Sequence, residues 1–337
     1  MQVGSLVPAQ PLVRGRVFVG GVVVRGQVHR QAGWDLGVDR PMKLQELLVP
    51  MPWQELADHP PTISVVPMSL ATSWNAQIAY DVAGGRPGGR DVVLLQTLLN
   101  DRRSWRSVVD RLAPRHRCVT YDARGHGETT YKPRDGWSPV DDAVAVLDAA
   151  EVDTAVLVAC GGGGQNAVDL TLAHPDRVEG LVLIGAAIRG APYPELPPGP
   201  AADVVAEADA ADEARDWDAM DRLDAWIWLD GPAQPEGRVS GPVRDLFQDM
   251  NAKALRAPHP GDQRPLEPAW PRLAEIAVPT LVMVGSLDLA NLQQIDEQAA
   301  ELIPGARFVR LEGVAHVPHL EGDPTTLAEI AAFVDSL

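Results

Sequence analysis

The sequence predicts an α/β protein with a mostly parallel central sheet flanked by helices. Three observations carry this expectation. Short apolar runs alternate with helical stretches along most of the chain after residue 68, which is how a sheet covered on both faces reads. One of those runs, Ala155 to Ala159, passes through the glycines Gly161 to Gly164 straight into a helical pattern carrying Val168, Leu170 and Leu172. A proline-rich and acidic stretch over residues 187–270 then interrupts the alternation, which resumes after it. With 337 residues the chain is long enough for a full α/β core as one large domain, or for a domain plus an insertion.

Residues 1–67 read differently from the rest. Val17 to Val24 is β-prone, with Gly20-Gly21 as a candidate hairpin turn, and Lys43 to Leu48 is the best helical pattern there. Three readings stand for this N-terminal extension: a small β extension, a mobile tail, or an upstream stretch translated from an early start codon. The last two are favoured. From Met68 the phrase MSLATSWNAQIAYDVAGG reads as a strand and a Gly turn leading to the next strand. Val92 to Leu95 is the next strand, ending in Gln96-Thr97-Leu98-Leu99. Asp101 to Leu112 reads as a helix with Trp105, Val108, Val109 and Leu112 on one face. Cys118 to Tyr121 is a strand, followed by the loop Asp122-Ala123-Arg124-Gly125-His126-Gly127. Pro139 to Ala150 is an amphipathic helix, and Val178 to Ile184 a buried strand after the glycine run.

In the insertion, prolines cluster first and acidic helices follow. Between Ala201 and Met250 there are thirteen Asp or Glu against four Arg. Trp217, Leu223, Trp226, Ile227, Trp228 and Leu229 give this part an apolar face, which suits packing against the core or roofing a pocket. The α/β pattern returns with a strand at Thr280 to Val284, the phrase Gly285-Ser286-Leu287-Asp288, and a helix at Asn291 to Leu302. A strand at Phe308 to Leu311, the loop Gly313-Val314-Ala315-His316 and a helix at Thr325 to Leu337 close the chain.

Composition narrows the function. A formal net charge of -17 argues against nucleic acid and anionic membranes as partners. The two cysteines, Cys118 and Cys160, both lie in apolar strand-like runs, which suits buried thiols in a reducing compartment better than a disulfide framework. No apolar run reaches the roughly 18 residues of a transmembrane helix, and the N-terminus carries no compact basic-then-apolar signal peptide. The expectation is a cytoplasmic protein acting on a small molecule, with no cofactor and no metal. Oligomeric state is left open.

The stretch TAVLVACGGGGQNAVDLTLAH resembles the nucleophile elbow of the α/β-hydrolases, whose pattern is G-x-S-x-G on a strand-to-helix turn. On that pattern Ala159 and Gly163 take the flanking small positions, and Gly161 stands where the serine belongs. The D-x-R-G-x-G phrase at Asp122 to Gly127 resembles the loop after the family's fourth strand, with Asp122 and Arg124 as its braces. His126 reads as a surface or pocket-rim residue. The resemblance, to enol-lactonase-like and esterase-like members, spans Met68 to Leu337. It implies an α/β-hydrolase fold over residues 68–186 and 271–337, with a helical lid over residues 187–270. It also implies the chain order nucleophile, acid, histidine, which Gly161, Asp288 and His316 match. The oxyanion-hole donors would be the backbone N–H groups of Leu98 and Gly162. Many members carry His-Gly where this chain has Gln96-Thr97. That departure is similar to the Asn-Ser-Leu-Gly version of enol-lactonase-like members. Trp226 and Trp228 would line the substrate site and favour an apolar or aromatic substrate. His319 reads as a lid or pocket-rim residue and Glu321 as a surface partner.

An imidazole can take a proton from a hydroxyl or a water, and a carboxylate on its other nitrogen fixes the tautomer. Everything is present except the attacking atom. Cys160 is an alternative nucleophile only if the register moves by one, which puts Val158 where a small residue is needed. In the glycine register the Cys160 side chain points back toward the sheet. No Asp stands at the elbow for dehalogenase or epoxide-hydrolase chemistry. The glycine run is a poor dinucleotide loop, because the next strand ends in Gly185-Ala186-Ala187 with no acid. Three functions remain: a hydrolase of an ester, lactone or thioester with covalent hydrolysis impaired; a non-hydrolytic His-Asp acid/base enzyme of lyase, cyclase or cofactor-free oxygenase type; and a non-catalytic ligand-binding protein.

Overall fold

A computed structural model describes residues 65–337, with side chains from residue 68 onward. The segments Val17 to Val24 and Lys43 to Leu48 lie outside the described residues, as does the rest of the expected extension up to residue 64. The first strand opens at Val65, slightly ahead of the Met68 boundary.

In chain order the strands are β1 (Val65–Ser73), β2 (Ala76–Gly84), β3 (Asp91–Leu95), β4 (Arg117–Tyr121), β5 (Thr130–Tyr131), β6 (Ala155–Cys160), β7 (Val178–Ile184), β8 (Thr280–Gly285) and β9 (Arg307–Leu311). They form one sheet of order β1-β2-β4-β3-β6-β7-β8-β9, with the short β5 paired to β2. β1, β2 and β4 pair antiparallel, and every pairing from β4 across to β9 is parallel. The expected α/β-hydrolase architecture, a mostly parallel sheet flanked by helices, is the observed one.

The helices are α1 (Arg106–Leu112), α2 (Pro139–Ala149), α3 (Gly162–Ala173), α4 (Pro200–Ala214), α5 (Trp217–Asp224), α6 (Pro242–Arg256), α7 (Ala290–Leu302), α8 (Pro318–Glu321) and α9 (Pro324–Ser336). Residues of α1 and α9 share one apolar cluster with residues of the 187–270 insertion. Residues of α2, α3 and α7 share the other. β6 is buried at every position, which explains why it reads as an unbroken apolar run rather than an alternating one. The helix expected over 101–112 is split. Asp101 accepts the N–H of Arg103 and starts a 3-10 turn at Arg102–Trp105, and α1 follows. α2 begins as its sequence dictates, with Ser138 accepting from Val140 and Asp141 N–H and Pro139 at the first position.

One topological fact positions the site. The chain leaves β3 toward β4 and leaves β6 toward β7, yet β3 and β6 are neighbours. The loops at their carboxyl ends diverge, which opens a crevice there. Four sequence features converge on that end of the sheet: residues 96–99 after β3, the glycines after β6, Asp288 after β8 and His316 after β9.

The insertion between β7 and β8 holds α4, α5, a wide π-helical turn at Ala225–Asp230, and α6. Asp230, fully buried, ends that turn. Its carboxylate accepts from Gly237 N–H at 2.7 Å, Val239 N–H at 2.8 Å and Arg244 at 2.8 Å. Arg238 donates to the carbonyls of Leu229 and Asp230, both at 2.6 Å, and to the Glu321 carboxylate at 2.9 and 3.1 Å. Glu321, read from sequence as a surface partner, therefore ties α8 to the insertion.

Candidate active site

Gly161 occupies the turn between β6 and α3 with φ 55° and ψ −123°. That positive φ is open to glycine and strained for other residues. The turn is held by the Gly161 N–H to the Ile184 carbonyl at 3.0 Å and by the Gly161 carbonyl, which accepts from Gly164 N–H at 2.9 Å and Ala187 N–H at 3.0 Å. A Cβ built on Gly161 would stand 2.7 Å from His316 Nε2 and 3.2 Å from Thr97 Cβ. Residue 161 therefore faces the imidazole directly.

His316 and Asp288, distant in sequence, meet. His316 Nδ1 donates to Asp288 Oδ2 at 2.7 Å, with the two side chains 6% and 0% exposed. Asp288 Oδ1 accepts from Leu289 N–H at 2.8 Å, which fixes the carboxylate plane. With Nδ1 spent on the carboxylate, Nε2 is the nitrogen left to accept a proton. His316 is also held from the insertion. Its backbone N–H donates to the Trp228 carbonyl at 3.2 Å, and the two rings lie 4.7 Å apart at 57°. Gly185 allows the pair to sit this low. A Cβ there would come within 2.8 Å of His316 Nδ1 and 3.1 Å of Asp288 Oδ2. The sequence reading did not single out Gly185, although a glycine directly after a buried strand at the sheet's functional end was the available signal.

Leu98 and Gly162 are neighbours: a Cβ on Gly162 would meet Leu98 Cγ at 2.5 Å. Thr97 Oγ1 accepts from Leu99 N–H at 3.0 Å and shapes the loop between them and β3. His126 is a brace rather than a free rim residue. Its ring bridges the carbonyls of Arg124 at 3.0 Å and Leu98 at 2.8 Å, tying the loop after β4 to the loop after β3. Asp122 accepts from the N–H groups of Arg102 and Glu128, both at 2.8 Å, and pairs with the Arg102 guanidinium. Arg124 pairs with Asp142 at 2.7 and 2.9 Å. These two residues brace the loop as expected, each through its own partner.

Cys160 points behind the site. Its thiol donates to the His316 carbonyl at 3.2 Å, and burial, with Asp288 and Asp296 adding to it, pushes the thiol pKa well up. A buried neutral thiol on that side is a poor nucleophile. Of the two tryptophans expected at the substrate, only Trp228 reaches His316. Trp226 donates its indole N–H to the Gln234 carbonyl at 2.8 Å within the insertion. Two residues apart on one helical turn, the two side chains point to opposite sides. His319 corrects the sequence reading: it lies at no rim but is fully buried, its ring stacked on Trp105 at 4.0 Å and 21°. Asp296 on α7, missed in sequence, is also buried and accepts from Ala186 N–H at 3.1 Å. Burial and the nearby Asp288 push its carboxyl well above the usual range. Among the described residues no group of three or more His, Cys, Asp or Glu is placed to hold a metal ion. No helix among them is long and apolar enough to cross a membrane.

A crevice at a strand-order reversal, a glycine-rich strand-to-helix turn and a buried carboxylate–imidazole pair from later strand ends define an α/β-hydrolase architecture. Residues 92–323 match the model of the alpha/beta hydrolase fold, and the chain belongs to that family. It is 36% identical over 118 residues to a putative carbamate hydrolase, RutD, of Caulobacter vibrioides, covering 34% of this chain and 44% of that protein. The match thus spans less than half the length of that relative. The crystal structure of esterase RhEst1 from a Rhodococcus species superposes with a TM-score of 0.63 at 26% identity, covering 81% of this chain and 100% of the other. The enol-lactonase from Burkholderia xenovorans shares the fold, with a TM-score of 0.61 at 23% identity over 80% of this chain and 100% of that one.

Proposed function

We propose that this protein binds an ester-like acyl substrate, an ester, lactone or thioester, beneath the helical insertion acting as a lid. We further propose that it hydrolyses that substrate through His316 and Asp288 without a covalent acyl-enzyme. The observation that carries the reading is the imidazole Nε2 standing 2.7 Å from where a Cβ on residue 161 would be, while residue 161 is glycine. With no side chain at residue 161, the attacking oxygen in this reading is that of a water rather than of the protein. The hydrolase and esterase names of the relatives support the substrate class.

In this mechanism His316 Nε2 takes a proton as a water oxygen attacks the acyl carbon. The carbonyl oxygen becomes an oxyanion, received by the N–H groups of Leu98 and Gly162, neither of which donates to another group among the described residues. The C–O or C–S bond then breaks, and the imidazolium returns its proton to the leaving group. Asp288 stays ionised and stabilises the imidazolium through Nδ1. Loss of a side-chain nucleophile costs about a million-fold in turnover, or about 8 kcal/mol of barrier, so the direct route is slow. A second reading, proton abstraction by the same pair without hydrolysis, is favoured over pure ligand binding by one observation: both oxygens of Asp288 are committed to orienting His316 and its own loop.

The test is hydrolysis of p-nitrophenyl butyrate by the protein and by His316→Ala. A slow, burst-free rate that His316→Ala abolishes supports the reading. Equal rates in both proteins would sink it.

A further inference from the structure

β7 runs into Gly185-Ala186-Ala187-Ile188, a buried strap outside any strand or helix. Its first three residues each bear on a different part of the candidate site. Gly185 lies against the acid–imidazole pair: a Cβ there would be 2.8 Å from His316 Nδ1 and 3.1 Å from Asp288 Oδ2. Ala186 packs on the glycine turn, since a Cβ on Gly164 would meet the Ala186 Cβ at 2.5 Å. Ala187 donates its N–H to the Gly161 carbonyl at 3.0 Å. The strap thus sets the spacing between the imidazole and the turn that carries residue 161.

Its two ends are fixed by ordinary means. Gly185 N–H donates to the Met283 carbonyl at 2.9 Å, and Ile188 N–H to the Tyr193 hydroxyl at 2.9 Å. In the middle, Ala186 N–H donates to Asp296 Oδ1 at 3.1 Å, a carboxyl reaching across from α7. Asp296 is fully buried, and its Oδ2 has no hydrogen-bond partner among the described residues. A polar group kept in that state is costly, so its retention calls for a reason. The charged group acting on it is a second carboxylate, Asp288. Cys160 on β6 and Tyr193 also face it. Both are neutral, pushed up by burial with Asp296 adding to it, Tyr193 to about 12. With no cation to offset it, a further full charge here would be prohibitive, and Asp296 keeps its proton.

We propose that Asp296 is a positioning residue of the candidate active site, anchoring the 185–188 strap from α7 so that the Asp288–His316 pair and the Gly161 turn keep their spacing. It does so as an uncharged acid, which leaves Asp288 as the charge behind the imidazole. For its effect on rate this rests on the preceding reading, because the spacing matters to turnover only if His316 acts on a molecule at the turn.

Steady-state hydrolysis of p-nitrophenyl butyrate by the full chain, Asp296→Leu and Asp296→Asn tests this, with unfolding midpoints of the parent and Asp296→Asn at pH 5, 6 and 7. Leucine leaves Ala186 N–H without its acceptor, so kcat should fall about 10–100-fold while KM stays within about threefold. Asparagine keeps a neutral acceptor oxygen and should retain at least about threefold more of kcat than leucine. A residue that merely filled space would lower the midpoint and leave the folded variant with the parent's kcat. The folded parent holds at Asp296 a proton that the unfolded chain, near 3.8, releases, so the parent loses stability as pH rises and Asp296→Asn escapes that loss. The midpoint of Asp296→Asn should therefore gain on the parent's by roughly 3–5 °C per pH unit. The proposal is overturned if folded Asp296→Leu keeps kcat within about twofold of the parent, if asparagine does no better than leucine, or if the midpoint gap stays constant from pH 5 to pH 7. Should Asp296→Leu fail to fold, Asp296→Ala removes the same acceptor with less bulk and reports the same split between kcat and KM. If His316→Ala hydrolyses as fast as the parent, the proposed function fails and the midpoint gap alone decides for Asp296. If His316 is needed and Asp296→Leu keeps its kcat, only the positioning role fails.

Discussion

Introducing a serine at residue 161 separates strain from chemistry. The backbone there has φ 55° and ψ −123°, so any side chain carries about 1–3 kcal/mol of conformational strain. The new Cβ would also sit 2.7 Å from His316 Nε2, closer than real Cβ contacts, so the imidazole has to retreat. It cannot retreat freely, because Asp288 holds Nδ1 at 2.7 Å and Trp228 holds the backbone N–H at 3.2 Å. Gly161→Ala and Gly161→Ser should therefore both lower the unfolding midpoint by roughly 2–12 °C, at about 2–4 °C per kcal/mol. Only Gly161→Ser should also gain an acyl-enzyme burst with p-nitrophenyl butyrate. Scanning calorimetry on the three proteins, with stopped-flow release of nitrophenolate, makes the comparison. If Gly161→Ala is as stable as the parent, the strain argument fails. If Gly161→Ser bursts no more than Gly161→Ala, residue 161 does not face a working base.

Other perturbations probe the remaining parts of the site. Asp288→Asn keeps the shape but removes the charge that orients His316, and a loss of about 10³–10⁴ in any His316-dependent rate is expected by steady-state kinetics. Cys160→Ala should leave that rate unchanged, and iodoacetamide should not label Cys160 in the folded protein, as mass spectrometry would report. Asp224, buried in α5 and accepting from Asn251 at 3.0 Å, has its carboxyl pushed up to about 7 by burial. The folded protein then holds a proton that the unfolded chain, near 3.8, releases, so stability should fall as pH rises from about 4 through 7. Asp224→Asn should flatten that slope by an amount on the order of a few kcal/mol in urea titrations at pH 5 and pH 8. An unchanged slope would remove Asp224 from the account.

The sheet was legible because its inner strands are buried on both faces. A run such as Ala155–Cys160 has no polar register to confuse it, and turn residues mark its end. Asp288 was legible for a related reason, since it follows a fully buried strand within a few residues, whereas the strand before His316 is mostly exposed and His316 was read from its place in the family's chain order. What sequence spacing did not disclose was which way a side chain turns once helices pack. Trp226 and Trp228 were both placed at the substrate, yet two residues apart on a helical turn they face opposite ways and find different partners. His319 looked like a rim residue beside His316. The short helix α8 instead drives it inward against Trp105, a partner more than two hundred positions away. Gly185 carried no signal beyond its position, since its need arises only from the imidazole packed above it.

The bond from the His316 backbone N–H to the Trp228 carbonyl joins two stretches of chain nearly ninety positions apart. With the Arg238–Glu321 pair it makes the insertion one of the supports of the imidazole. A substitution that shifts the backbone near Trp228 would thus be felt at His316 without touching the ring.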